Sequence, residues 1–386
     1  MIKRLKNYRF VKILQKSPAY ARLRQQLPGG AECNIIDDRG KFDPGDDIKI
    51  DWPDGVRKPR VAVIQDLEPY PRWTKYIHFL ENNGFPYGIY DLHAHDWLEQ
   101  ARAYDVFVGL IGCDMALLVE MRKKFFVLEN YLGKFCYPSA AHVALYEDKS
   151  LEAYLSEVSG IPFARTHISN EKADALDMIQ TLRYPVISKF ETSSGSVGVE
   201  MVRSLKQAEK IVNQAFSPHG RANHSLYRRE KDYCYFQDFV PNDGYDIRCI
   251  VVDNMVLGYY RKVLEGDFRA SGMNIVEKRD LPRDAILTAW RANQVVKSPL
   301  LVVDMVHGLD GAYYVIEFSI NCQMETPEQL HVDGVPGMYI IGEDESIRFQ
   351  PCRPWVHDLA LREFFLKDYL PRVSQSLPVG VSVFAG

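Results

Sequence analysis

Between Arg60 and Ser139 the chain alternates strand-like runs with helix-like ones, and few architectures accept that order. RVAVIQD is a short β-branched run of the kind buried in a sheet. YIHFLENNG is helical and stops at Gly84, and PYGIYDL is strand-like again. WLEQARAY, DVFVGLI, a longer helix from about Ala116 to Leu132 and KFCYPS continue the series. Strands separated by helices do not pair as simple hairpins, so the expectation is an α/β region with a parallel sheet and helices on its faces. His93 and His95 in DLHAHD would share a strand face. With no third ligand nearby, a polar strand rim is expected there rather than a metal site.

After Glu147 the pattern changes. KSLEAYLSEVSG reads as a helix ended by Gly160, IPFARTHIS as extended chain, KADALDMIQTL as a helix and YPVISKF as a strand. YCYFQDFV is a further strand, and two hairpins follow it. DIRCIVVD turns at Asp253 and Asn254 into VLGYYRK, and LLVVDMV turns through Gly308 to Gly311 into YYVIEFS. Between them PRDAILTAWRANQVV is helical. Hairpins alternating with helices predict an α+β region with antiparallel sheets. The expected divisions are 1–58, 59–140, 141–236, 237–370 and a tail at 371–386.

A chain of 386 residues is long enough for several domains. Its 47 Lys and Arg against 51 Asp and Glu leave a formal charge of −4, without the basic excess of a nucleic-acid binder. No apolar run approaches the ~18 to 20 residues that cross a bilayer, and MIKRLKNYRFVK lacks the parts of a secretory signal. Seven cysteines with no C-x-x-C pair resemble neither a disulfide framework nor a zinc site. A reduced, cytoplasmic setting is expected. The N-terminal segment breaks the charge balance: Lys3, Arg4, Lys6, Arg9, Lys12, Lys16, Arg22 and Arg24 precede the first acidic residue, Glu32, with Leu5, Phe10, Ile13 and Leu14 interleaved. Two readings fit it, a solvated helix or a basic helix in peripheral contact with an anionic inner membrane surface. Asp37 to Pro59, rich in Asp, Gly and Pro, reads as a loop.

The residues that carry chemistry lie later. Lys189 ends a buried strand, and Thr192, Ser193, Ser194, Gly195, Ser196, Val197 and Gly198 follow it. Such a loop exposes N–H groups and allows close approach to phosphate, but no Gly-Lys-Ser/Thr closes it as in a Walker A loop. Glu317 and Ser319 are two apart on one strand and share a face, Asp304 lies across the hairpin, and Asn321 extends the row. Two carboxylates and a hydroxyl facing one way suit Mg²⁺, and a charge inside LLVVDMV calls for an ionic partner or a metal. Asp246 and Arg248 share a face of another strand, with Arg261 and Lys262 on its partner and Arg269 beyond. Gathered cations of this kind neutralise charge in phosphoryl transfer.

In this order, over about residues 140 to 330, these parts resemble an ATP-grasp ligase of the RimK type. The parallel region stands where the family has its pre-ATP-grasp domain, 141–236 where it has the lid and nucleotide subdomain, and 237–370 where it has the catalytic subdomain. The resemblance implies ATP and Mg²⁺ as cofactors. It implies that Lys149, in YEDKSLEAYLSEVSGIPFART, contacts nucleotide phosphate, and that Lys189 meets the α-phosphate and adenine edge. Ser194, Gly195, Ser196 and Gly198 would belong to the phosphate-covering loop. Asp238, Phe239 and Val240 of YFQDFV would line adenine and ribose. Asp246 would sit near the nucleotide, Arg248 and Arg269 near the transferring phosphate as catalytic groups, and Ser271 beside them. Asp304 and Glu317 fall where the family places its metal ligands.

One departure matters. The RimK pattern has Glu-x-Asn on the last strand, whereas here it reads Glu317, Phe318, Ser319, with Asn321 one alternation later. Either Ser319 or Asn321 completes the metal set. A subset of ATP-grasp proteins associated with cell-surface polysaccharide genes is similar in having Ser there. The implied reaction activates a small-molecule carboxylate as an acyl phosphate and joins it to an amine, with an amino acid, peptide or uronic acid as substrate. A nucleotide-binding regulatory module without turnover, and a small-metabolite kinase, use the same parts.

Overall fold

The computed structural model describes residues 42–43, 47–66, 70–113, 115–193, 196, 198–222, 229–264, 267–270 and 275–375. The basic N-terminal segment, Ser194, Gly195 and Ser271 lie outside the described residues.

The first sheet is parallel, in the order β2-β1-β3-β4, with strands β1 (Val61–Ile64), β2 (Tyr87–Tyr90), β3 (Val106–Val108) and β4 (Phe135–Tyr137). Helices α1 (Trp73–Asn82), α2 (Trp97–Ala101) and α3 (Met115–Asn130) connect them, and α4 (Ala140–Leu145) follows. All four residues of β1 and all three of β3 are buried, as strands covered on both faces must be. Residues 91–96 form a turn after β2 rather than a strand edge, and there His93 Nδ1 lies 2.8 Å from Glu120 Oε2 of α3.

The second sheet is antiparallel, in the order β5-β10-β6-β7. It follows α5 (Lys149–Ser159), whose first turn is capped by Asp148 Oδ1 accepting from Leu151 N and whose end is set by Gly160 in the left-handed region. Its strands are β5 (Thr166–Ser169), β6 (Val186–Ser188), β7 (Glu200–Val202) and β10 (Cys234–Asp238). Helices α6 (Lys172–Thr181) and α7 (Leu205–Ala215) pack on it around Ile179, Val186, Val212 and Phe236. A small pair, β8 (Arg221–Ala222) and β9 (Arg229–Glu230), lies beside it.

The third sheet is the largest, in the order β15-β14-β11-β12-β17-β16. It contains β11 (Asn242–Val252), β12 (Met255–Lys262), β14 (Leu301–Gly308), β15 (Tyr313–Ser319), β16 (His331–Val332) and β17 (Val335–Ile341). β13 (Val276–Glu277) pairs with β12, and β18 (Ile347–Pro351) with β17. The β11–β12 turn is made at Asp253, which takes a φ of 54°. One face packs on α8 (Arg283–Val296), where Cys249 Sγ meets Ala285 O. Since strand neighbours alternate, Asp246 and Arg248 project from the opposite face.

The chain then returns to the first region. α9 (Val356–Glu363), a π-helical turn (Phe364–Tyr369) and α10 (Leu370–Gln375) pack there, with Phe365 stacked on Phe85 and Phe79. The first and third sheets thereby share one hydrophobic core. No helix among the described residues is long and apolar enough to cross a membrane.

Candidate active site

Register builds the charged face of the third sheet. β14 places Asp304 opposite Glu317 of β15 on one side and opposite Arg248 of β11 on the other, while Asp246 faces Arg261 of β12. Arg248 donates from Nε and Nη2 to the two oxygens of Asp304, at 2.8 and 2.7 Å. Arg261 does the same to Asp246, at 2.6 and 2.7 Å, and its Nη2 also lies 2.8 Å from Asp304 Oδ2. Asp304 is only 6% exposed. Burial opposes its charge, but Arg248 and Arg261 outweigh that and hold its carboxyl well below the usual range. The apolar run around Asp304 is thus answered by two guanidiniums, and its burial by itself does not call for a metal. Burial raises the Asp246 carboxyl against the pull of Arg261.

Two lysines tie the second sheet to this face. Lys149 Nζ donates to Ser193 O at 2.6 Å and lies 3.2 Å from Glu317 Oε1, so α5, the loop after β6 and β15 meet at one ammonium. Burial works against its charge, but Glu317, Glu147 and Glu152 outweigh it and raise its pKa. Lys189 donates to Ile316 O at 2.8 Å, and burial pushes it down to about 8. Glu152, one turn along α5 from Lys149, is fully buried and accepts from Phe318 N at 3.0 Å. Its carboxyl is raised by burial and by Glu317.

Two clefts open from this centre, and Asp304 and Glu317 line both. The first, of about 830 Å³, lies between the second and third sheets. Lys149, Lys189, Ser196, Asp238, Phe239, Val240, Asp246 and Arg269 line it, with apolar Ile187, Val306 and Ile316. Gly198 has a φ of 69°, and a Cβ there would stand 1.9 Å from the Phe190 ring, so only glycine fits where the loop crosses that side chain. Asp238, at the end of β10, is paired with His167 Nε2 at 3.0 Å. The second cleft, of about 2040 Å³, opens toward the first sheet and is lined by Arg72, Glu147, Arg248, Lys278, Ser319 and Asn321 among others.

Arg248 and Arg269, grouped by the resemblance at one phosphate, therefore line different clefts. Arg269 is held by Asp267, at 3.0 and 3.1 Å. Ser319 and Asn321 both line the second cleft. Asn321 Oδ1 accepts from Cys322 N at 2.9 Å, and Ser319 Oγ lies 3.4 Å from Asn321 N. Glu147 and Glu152 were not picked out by sequence reasoning. Helical spacing from Lys149 would have found Glu152.

The donor set fits a hard divalent ion. Asp304 and Glu317 offer carboxylate oxygens at one register position, and three guanidinium contacts leave Asp304 further lone pairs. No cage of three or more His, Cys, Asp or Glu side chains occurs among the described residues, and Mg²⁺ commonly takes one or two carboxylates plus phosphate oxygens.

Residues 147–334 match the RimK-like ATP-grasp domain family, and this part of the chain is a RimK-like ATP-grasp domain. A probable alpha-L-glutamate ligase of Shewanella loihica is 24% identical over 240 residues, 61% of this chain and 74% of that protein. The coenzyme gamma-F420-2:alpha-L-glutamate ligase of Methanocaldococcus jannaschii is 30% identical over 160 residues, 40% of this chain, and the match spans about half (51%) of that relative. The crystal structure of a D-cycloserine synthetase shares the fold, with a TM-score of 0.50, 13% identity, and coverage of 68% of this chain and 91% of that one.

Proposed function

We propose that the chain is an ATP-dependent ligase that activates a carboxylate as an acyl phosphate and joins it to an amine, releasing ADP and phosphate. The observation that carries this reading is the position of Asp304 and Glu317, which line both clefts at once. A phosphoryl group held in the first cleft can be passed to a molecule in the second only across such a boundary. In this reading ATP lies in the first cleft, its base and ribose along Asp238, Phe239 and Val240 and its phosphates toward Lys149, Lys189 and the loop containing Ser194, Gly195, Ser196 and Gly198. Asp246 supports that cleft through Arg261.

Asp304 and Glu317, with Ser319 or Asn321, would hold Mg²⁺, which supplies charge neutralisation on the phosphates. Arg269 acts on the nucleotide side and Arg248 on the acceptor side, where each offsets charge developing on the transferred group. The loop after β6, held by Lys149 through Ser193 O, shields the acyl phosphate from water. The acceptors are small: an amino acid, a peptide or a uronic acid as the carboxylate, and an amino group as the nucleophile.

The test is Mg²⁺-dependent ADP release by the purified chain against amino acids, dipeptides and uronic acids crossed with amines. The account expects ADP only when a particular carboxylate and amine are present together. Stoichiometric phosphorylation of one acceptor as final product would instead make the protein a kinase. Ser319 in place of the family's Asn favours one other reading, a nucleotide-binding module without turnover. Tight ATP binding with no ADP from any pair would support it.

A further inference from the structure

Glu147 stands apart among the residues of the second cleft. It lies between α4 and α5 with a φ of 53°, a left-handed conformation that L-residues with a β-carbon adopt at a cost. The turn is gripped on both sides: Arg122 of α3 donates from Nη2 to Tyr146 O at 3.1 Å and lies 3.4 Å from Asp148 Oδ2. Asp148 is in turn fixed as the cap of α5. The side chain between these anchors lines the cleft that also contains Glu317 and Asp304.

Its Oε2 atom is buried and has no hydrogen-bond partner among the described residues. A buried carboxylate oxygen without a donor is costly, and a native structure that keeps one usually has a bound group to satisfy it. The nearby lysine is committed elsewhere, Lys149 to Ser193 O and Glu317. The missing donor therefore comes from a molecule in the cleft. Of the reactants in the ligase reading, the amine is the one whose N–H groups must lie beside the acyl phosphate, on the acceptor side of Glu317.

We propose that Glu147 is the amine-binding residue of the second cleft, an inference that rests on the ligase reading above. One N–H of the nucleophile donates to Glu147 Oε2, which turns the nitrogen lone pair toward the acyl carbon. The ammonium gives one proton to water before attack. The C–N bond then forms and the acyl C–O bond breaks. Phosphate leaves with that electron pair and takes the nitrogen's surplus proton, so an acyl phosphate and a neutral amine give an amide and hydrogen phosphate.

Hydroxylamine separates this role from the rest of the reaction, because it is small, largely uncharged at pH 7.5 and present at high concentration, and it traps acyl phosphate as hydroxamate. The full chain, Glu147→Gln and a control, Glu157→Gln on the exposed side of α5, are given Mg²⁺ and ATP. The carboxylates are L-glutamate, glutamyl-glutamate and glucuronate, each with hydroxylamine or with an amino-acid amine (L-alanine, L-lysine or L-glutamate). The readout is the ratio of amide to hydroxamate, which does not depend on the fraction of protein folded. The ratio falls about 10- to 100-fold in Glu147→Gln, the size of a lost hydrogen bond to a charged group, and stays unchanged in Glu157→Gln. An unchanged ratio in Glu147→Gln, whether both rates drop together or neither drops, overturns the assignment. Absence of hydroxamate from the wild-type chain with all three carboxylates overturns the ligase reading itself, and this inference with it.

Discussion

The first and third sheets of this molecule use their faces differently. In the parallel sheet both faces are dry: Val61, Ala62, Val63 and Ile64 are each at most 1% exposed, and nothing there asks for a particular chemistry beyond size and branching. In the third sheet one face packs on α8, while the other gathers Asp246, Arg248, Arg261, Asp304 and Glu317 within a few register positions. A strand such as β14 serves both purposes because alternate residues point opposite ways. Val303 and Met305 go to the core, and Asp304 goes to the clefts. Apolar packing is spread through the first sheet, whereas charged side chains are concentrated on one side of the third.

Substitutions on the two sheets test that contrast. Phe107→Ala in β3 and Asp304→Ala in β14 are each expected to cost about 3–5 kcal/mol, the first by leaving a cavity and the second by leaving buried guanidiniums short of a carboxylate. Urea unfolding measures both. Addition of MgATP should still raise the midpoint of Phe107→Ala and should raise that of Asp304→Ala little or not at all. An equal ligand effect in both would erase the distinction between the sheets.

The buried charges near the first sheet should govern stability rather than binding. His78 Nδ1 lies 2.9 Å from Asp358 Oδ2 at the α1–α9 contact, and burial raises the Asp358 carboxyl to about 6. The folded state then binds more protons than the unfolded one between pH 4 and 6, so this group's stabilisation is complete below pH 4 and is lost as pH rises through 6. The His78 pKa, raised by Asp358 and Asp47 against burial, has the same sign and extends the loss to higher pH. Asp358→Asn should reduce the stability lost between pH 4 and 6 by at most about 3 kcal/mol, with ATP affinity unchanged. A slope of opposite sign in the wild-type chain would contradict the assignment.

Lys189 should show the reverse. Burial holds it near 8, and nucleotide phosphate would favour its charged form. ATP affinity is then full below pH 8 and weakens as pH rises, by up to about tenfold between pH 7.5 and 9, with proton uptake on binding. Calorimetry in two buffers of different ionisation enthalpy measures both effects, and Lys189→Gln should remove the pH dependence.

Much of this was legible in the sequence, for local reasons. The turn at Asp253–Asn254 and the strands around it follow from turn chemistry and alternation, and the resulting hairpin fixes which residues share a face. Other elements depend on partners far away. VPGMYII contains Pro336 and Gly337, poor strand residues, yet forms β17 because β12 and β18 pair with it. The partners of Asp304 come from two other strands, and only sheet order brings Arg261 to it. Glu147 and Glu152 look like ordinary acidic residues at a helix start, and their burial is a tertiary fact. The separation of Arg248 from Arg269 is also tertiary, because two clefts share the charged face of the third sheet.

The central claim is that Glu317 stands where the phosphoryl group passes from one cleft to the other. ATP affinity and substrate-dependent ADP release measured side by side on the wild-type chain and Glu317→Gln test it most directly. The account predicts ATP affinity within about tenfold of the wild type and turnover reduced by about a thousandfold or more, since the lost charge acts chiefly on the transition state. Normal turnover in Glu317→Gln would contradict it.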